Sequence, residues 1–279
     1  MMTSVATQTD ECGDAAHRLY AAELRRWRQE RGVTQERLAA LTHYSAALVG
    51  MVEKLQRNPT REFTSRCDDV LRTGGALARL LPLLAAESYP SWFRPFVEME
   101  AEATAIQEFE VQVIAGLLQT EDYARAVLNS WPPKSAEEIE RRLAARLDRQ
   151  RILDRADPPL LSFVLDESVL RRPMGPASMM AAQLTHLIET AARPNIQLQI
   201  LTFEQARDAP TDGAFVVLEL PQRERVLYVE GVGNGRLVPD EEIVDRFARA
   251  FSAAQCQALS MADSIAFIEM VRRERYGCE

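Results

Sequence analysis

Apolar positions in the first 90 residues recur at helical spacing, in short bursts. Tyr20, Leu24 and Trp27 fall at i, i+4 and i+7, the face of one helix that stops at Gly32. Thr34 predicts the cap of a second helix over 35–41, and Ser45 the cap of a third running to about 56. Asn58-Pro59 ends that helix. Thr60 opens a fourth, with Phe63, Cys67, Val70 and Leu71 on its apolar face. Gly74-Gly75 then breaks the chain before an apolar helix over 76–86. The pattern predicts a compact all-helical domain over 17–88, behind a disordered tail over 1–16.

After Pro90 and Trp92 the periodicity changes. A helix over 91–106 leads into residues 108–114, which alternate like a strand. Helices follow over 120–129 and 136–153, separated by Pro132-Pro133, and Ser135 with Glu138 forms a capping box for the second. Residues 160–165, 196–201, 214–220 and 225–229 read as strands, the last two joined by a hairpin at 221–224. Helices over 176–192, 240–256 and 261–275 surround them, the last opened by a Ser260/Asp263 capping box. The expectation is an α+β domain over 89–279 with a small, largely antiparallel sheet.

Residues 35–52 carry the sharpest local signal. A helix-turn-helix needs a small residue in its first helix, a turn about four residues later, and inward apolar residues on its second helix. Leu38-Ala39, Thr42-His43-Tyr44, and Val49 with Val52 meet those needs in order. His43 stands where such a turn commonly has glycine, so a positive φ is expected at a residue that tolerates it better than most. A pH-switch role for His43 is the minor alternative.

Charge sharpens the picture. The chain is acidic, with 41 Asp+Glu against 33 Lys+Arg, yet residues 17–66 carry a net charge of +5. A basic block on an acidic body fits a small module that meets a polyanion. In helix-turn-helix geometry the third helix enters the major groove. The DNA-facing candidates are Thr34, Gln35, Ser45, Ala46, Ala47, Gly50, Met51, Lys54 and Arg57. Thr34 and Gln35 sit at a helix N-terminus suited to phosphate. Lys54, Arg57 and Arg61 add backbone charge. The reading surface is apolar and lacks the Arg, Asn and Gln that make bidentate base contacts. One copy would select a site poorly, so a homodimer is expected.

Residues 24–59, with Val33-Thr34-Gln35-Glu36 and Val52-Glu53, resemble an Xre-type (lambda-repressor-like) DNA-binding domain. Downstream, several stretches resemble one family: Trp92-Phe93-Arg94, 98–108, Gly116-Leu117-Leu118-Gln119-Thr120 with Tyr123-Ala124, Arg149-Gln150-Arg151-Ile152-Leu153, Asp166-Glu167, Leu170-Arg171-Arg172 and Asp212-Gly213-Ala214-Phe215. That family comprises actinobacterial regulators with an antitoxin-like, WhiJ-like C-terminal domain. The resemblance implies transcriptional regulation and a small acidic protein partner.

Other constellations are weaker. Cys12, Cys67, Cys256 and Cys278 lie far apart, and His17, His43 and His186 are solitary, so no metal site or cofactor is expected. The start shows no signal-peptide pattern and no apolar run reaches membrane length, so a cytoplasmic protein is expected. Glu98, Glu100, Glu102, Glu108 and Glu110 read as a solvated acidic face. Arg142, Arg146 and Arg149 share a helix face and either pair locally or meet an anion. Trp92, Phe93, Phe96 and Phe109 read as core, with a small-molecule pocket as the alternative. Residues 231–235 read as a turn rather than a phosphate loop. Asp166, Glu167, Arg171, Arg172 and Asp212 are the candidates for holding a partner or ligand, and an internal ion network is equally consistent with the first four. No nucleophile–base or phosphate-loop motif is legible, which disfavours an enzyme. The expectation is a regulator whose C-terminal domain binds a protein, or alternatively senses a small molecule.

Overall fold

In the computed structural model, residues 15–87, 89–130, 135–206, 213–231 and 233–277 are described. The tail over 1–14, Pro132-Pro133, Asp212, Cys12 and Cys278 lie outside them. The chain divides into two compact units, Met1–Pro90 with Pro133–Ala145, and Ser91–Pro132 with Arg146–Glu279.

The first unit is helical: α1 (Ala15–Glu30), α2 (Gln35–Thr42), α3 (Ala46–Glu53), α4 (Arg61–Leu71), a 3-10 turn and α5 (Leu81–Glu87). The three caps expected from the sequence are side-chain caps, whereas the helix expected over 76–86 is split between the 3-10 turn and α5. The hydroxyls of Thr34, Ser45 and Thr60 accept from the amides of Arg37, Leu48 and Phe63, a device worth about 1 kcal/mol each. α3 is shorter than expected, because Leu55 adopts a φ of 65° and ends it. Tyr20, Leu24, Leu38, Val49, Val52, Phe63, Cys67 and Leu71 form one buried core. The Tyr20 phenol is satisfied there by the Thr64 hydroxyl at 2.7 Å. Burying a leucine such as Leu24 contributes about 2 kcal/mol.

The second unit holds α6 (Arg94–Glu102), β1 (Ala105–Glu110), α7 (Glu121–Leu128), β2 (Leu160–Asp166), α9 (Glu167–Arg171), α10 (Ala177–Ala191), β3 (Ile196–Leu201), β4 (Phe215–Glu219), β5 (Arg225–Gly231), β6 (Asn234–Val238), α11 (Glu241–Gln257) and α12 (Met261–Tyr276). Of α8 (Ala136–Arg149), the residues from Arg146 onward belong to this unit. The strands form one six-stranded sheet in the order β3-β2-β1-β4-β5-β6. β1, β2 and β3 run parallel, and β4, β5 and β6 are antiparallel to their neighbours. The expectation of a small, largely antiparallel sheet is therefore corrected to a larger mixed one. The reason lies in the connections: parallel neighbours need long crossovers, and helices fill the stretches between β1 and β2 and between β2 and β3.

Both faces of the sheet are covered. Ile106, Phe163, Leu198 and Val216 pack on one side with Leu184 of α10 and Val271 of α12. Phe109, Val164, Phe215 and Leu227 pack on the other with Val244, Phe247 and Phe251 of α11. The expected hairpin joins β4 to β5, with Arg223 at a φ of 62° in its turn. Gly233, at a φ of 73°, lies between β5 and β6, so residues 231–235 include a hairpin turn and not a phosphate loop. Among the described residues no helix is long and apolar enough to cross a membrane.

Candidate functional site

The α2–α3 pair is built around one buried carboxylate. Tyr20, Leu24 and Arg28 lie at i, i+4 and i+8 of α1, so the arginine continues the stripe that faces the core. Its Nε and Nη2 donate to Glu53 Oε1 and Oε2 at 2.6 and 2.9 Å. Gln35 Nε2 of α2 donates to Glu53 Oε2 at 2.7 Å, and Arg25 Nη2 donates to the Glu53 carbonyl at 2.9 Å. Glu53 is only 3% exposed. Burial alone would push its carboxyl up, but the hydrogen bonds from Arg28 and Gln35 win and hold it below the usual range. One side chain of α3 is thus tied to both α1 and α2.

The turn between α2 and α3 has the geometry that its sequence requires. His43 sits at φ 60°, ψ 38°, in the left-handed region. The Tyr44 amide donates to the Ala39 carbonyl at 2.9 Å, and the Thr42 hydroxyl donates to the Leu38 carbonyl at 2.8 Å. Arg66 of α4 donates to the Thr42 carbonyl at 2.9 Å, bracing the turn from a third helix.

The expected DNA-facing residues divide by environment. Thr34, Ser45, Ala47, Lys54 and Arg57 are exposed, whereas Gln35, Ala46, Gly50 and Met51 are half-buried. Ala46 leans on the helical core. Gln35 spends its amide on Glu53 and lies against Gly50, where an added Cβ would be 3.5 Å from its Oε1. The Thr34 and Ser45 hydroxyls cap their helices. Glu53, Arg25 and Arg28 were not among the site residues expected from sequence. The signal that could have found them was the arginine on the apolar stripe of α1.

In the second unit, the expected partner-binding residues have partners within the fold. Asp166 caps α9 through the Ser168 amide at 2.8 Å. Glu167 accepts from Arg171 Nε at 2.5 Å and from the Phe203 amide at 2.9 Å. Arg172 donates to the Gln112 carbonyl at 2.6 Å. Asp212 lies outside the described residues.

The acidic run behaves differently from the solvated face expected of it. Glu100 is 2% exposed and Glu108 is 7% exposed, while Glu98 and Glu102 are exposed. For Glu108 the physical reason is the double cover of the sheet: its position on β1 faces a second packed layer, not water. Glu100 Oε2 lies 3.2 Å from Arg149 Nε. Arg149 rests on Gly116, where a Cβ would collide with its guanidinium. Arg146 donates to Gln119 Oε1 at 2.8 Å. Glu108, in register with Val216 and Tyr228 across β4 and β5, has its carboxyl pushed up to about 8 by burial and then by Glu100, with Arg149 and Arg146 opposing. Burial also raises Glu100, Glu110 and Glu230. Phe96 stacks on Tyr228 with centroids 4.2 Å apart, and Phe93 meets Tyr228 edge-on at 5.7 Å. These aromatics are partly core, as expected.

On the opposite side of the sheet a cleft of about 340 Å³ is lined by Gln107, Glu219, Arg225, Asp245, Arg249 and Ser252, among others, with Arg225 and Asp245 ion-paired. Its lining mixes these polar and charged residues with Ala105, Val217 and Ala248. Among the described residues, no group of three His, Cys, Asp or Glu is placed to hold a metal ion.

Residues 19–81 match a helix-turn-helix domain family, consistent with the cap, turn and core geometry of α1–α4. No curated protein and no solved structure matches the chain. Residues 93–270, well over half of the chain and nearly all of the sheet-bearing unit, match the family described as a domain of unknown function, DUF5753. The chain therefore belongs to the DUF5753 family and carries a helix-turn-helix domain of the kind found in DNA-binding regulators ahead of that family's domain.

Proposed function

We propose that the protein is an Xre-type transcriptional regulator that reads duplex DNA with α3 as a homodimer. Its C-terminal unit is an antitoxin-like module that sets DNA affinity by binding a small protein partner. The observation that carries the DNA-binding half is the α2–α3 pair held by Glu53, Arg28 and Gln35, inside a segment of net charge +5. Ala47, Gly50 and Met51 offer apolar contact to thymine methyls. Thr34 and Gln35 place a helix N-terminus for phosphate, and exposed Lys54 and Arg57 add charge. Asp166, Glu167, Arg171 and Arg172, which shape α9 and its surroundings, are assigned to the partner-binding region, and Asp212 joins them on the sequence reading alone.

The test is a gel shift on genomic fragments with the intact chain and with Lys54→Glu plus Arg57→Glu. Wild-type binding should weaken as salt rises, and the double variant should lose it. Equal binding by both proteins, or salt-insensitive binding, would refute the reading. The second reading is a one-component sensor of a small molecule, with the charged cleft on the α11 side of the sheet as its candidate pocket. No nucleophile–base set supports an enzymatic reading.

A further inference from the structure

The α11 side of the sheet changes character along its strands. Phe109, Val164 and Phe215 are buried there with Phe247 and Phe251 of α11. Toward the start of β1 the same face turns polar. Gln107 is in register with Ser162 on β2 and Val217 on β4, and Glu219 on β4 is opposite Arg225 on β5. The cleft of about 340 Å³ opens here, between this end of the sheet and α11. α11 carries two stripes to match. Val244, Phe247, Phe251 and Ala254 are buried against the sheet. Asp245, Ala248, Arg249 and Ser252, at i, i+3, i+4 and i+7, share a second helix face and line the cleft.

Two carboxylates and two guanidiniums line the cleft, and the fold joins one pair of them. Arg225 forms an ion pair with Asp245, which ties the sheet to the helix. Asp245 and Arg249 stand at i and i+4, the spacing of a helix-surface ion pair, yet Asp245 turns to Arg225 instead. Arg249 is left without a counter-ion among the described residues. The Glu219 carboxylate is also unpaired among them, and the half-buried Gln107 leaves its amide unspent. Glu219 lies on the sheet side of the Arg225–Asp245 pair and Arg249 on the helix side, one turn after Asp245. Between these polar groups Ala105, Val217 and Ala248 supply an apolar lining.

We infer that this cleft binds the zwitterion of a free aliphatic α-amino acid. The ligand carboxylate meets Arg249, its ammonium meets Glu219, and its side chain rests on Ala105, Val217 and Ala248. Both head-group contacts are charge-assisted hydrogen bonds. Gln107 offers an N–H donor and a carbonyl acceptor, so it serves either head group. A simple anion would sit against Glu219 and a simple cation against Arg249, whereas a ligand with both charges satisfies both. The volume lies near the lower end of the roughly 300–1,000 Å³ range of small-molecule sites, which suits a ligand of this size. The inference rests on the sensor form of the reading above and names its ligand class. It is independent of how α3 reads DNA.

Such a ligand joins β4 to α11 through its two head groups. It adds a second tie beside the Arg225–Asp245 pair. Binding therefore stabilises the sheet-bearing unit, by mass action on the folded state.

The experiment is calorimetric titration of the full chain, without DNA, with L-leucine and L-valine. N-acetyl-L-leucine and L-leucinamide, which each keep one of the two charges, are titrated beside them. Saturable binding of the amino acids is expected, weakened about tenfold or more in either single-charge analogue. Arg249→Gln and Glu219→Gln should each weaken leucine binding by a similar factor. Neither side chain holds another described residue in place, so both variants keep the fold. Ala248→Leu, which leaves every charge in place, should block the cleft. Glu242→Gln, an exposed acid on α11 outside the cleft, should change nothing. No saturable binding of either amino acid at millimolar concentration would overturn the inference. So would a single-charge analogue that binds as tightly as leucine, or leucine binding that Arg249→Gln and Glu219→Gln leave unchanged. A gel shift with and without leucine tests the sensor reading separately: leucine that binds here yet leaves DNA affinity unchanged upholds the site and refutes the sensor.

Discussion

Arg28 and Glu53 form a two-point ion pair between α1 and the last residue of α3, with 2.6 and 2.9 Å contacts and side-chain exposures of 12% and 1%. The guanidinium fork matches the carboxylate plane, and its remaining Nη1 donates to the Val33 carbonyl at 3.0 Å. The pair sets the angle at which α3 leaves the domain, because Gln35 fixes the same carboxylate to α2.

Removing one partner of such a pair leaves the other charge buried. Glu53→Ala should destabilise the helical unit by about 3–5 kcal/mol. Arg28→Ala should act in the same direction. Urea unfolding followed by circular dichroism would measure both. A change under about 1 kcal/mol in each case would show the pair to be incidental.

Gly50 lies inside α3, and no positive φ holds it there. A Cβ would sit 3.5 Å from Gln35 Oε1, an ordinary contact. Gly50→Ala should therefore stabilise the helical unit by about 0.5–1 kcal/mol. It also puts a methyl on the proposed reading surface. Selection of DNA sites from a random pool should then shift base preference while unfolding shows a gain. A loss of stability would mean that Gln35 cannot give way.

The sequence announced α2–α4 clearly because each of their starts carries a capping hydroxyl. Thr34, Ser45 and Thr60 do locally what the pattern requires, and His43 takes the positive φ expected at its turn. The sheet was harder to read. Four of its strands were visible one by one, β1 was read three residues too late and β6 was not read as a strand; pairing order depends on contacts across some 50 intervening residues between β1 and β2. The visible β4–β5 hairpin biased the reading toward an antiparallel sheet. Glu108 and Glu110 were misread for a related reason: alternation tells which residues share a face, not whether a second layer covers it. The Glu53 hub escaped because a single arginine on an apolar stripe is a weak sign until its partner, 25 residues later, is in place.

The apolar character of Ala47, Gly50 and Met51 bears on assembly. With few bidentate donors, one α3 discriminates weakly between sites, and two copies multiply the discrimination. A homodimer is expected on DNA, with half-sites roughly 34 Å apart or a multiple of that spacing. Light scattering of the full chain, and footprinting on a selected site, would check this. A monomer protecting a single half-site would contradict it.

The two buried carboxylate sites should respond to pH in opposite directions. Glu53 has its carboxyl held low, so the native state binds fewer protons there than the unfolded chain. Its contribution is present above the ordinary carboxylate range and is lost as pH falls through the folded value. Glu108 has its carboxyl raised from 4.5 to about 8. Between those values the native state binds the extra proton, so stability falls as pH rises toward 8. Glu110 and Glu230, also raised, add to that slope. Urea unfolding at a series of pH values should show the helical unit weakening in acid. The sheet-bearing unit should weaken from about pH 4.5 to about pH 8. Glu108→Gln mimics the protonated form and should flatten the second slope while leaving the first unchanged. If the variant keeps the full alkaline slope, the raised proton affinity resides elsewhere in the sheet-bearing unit.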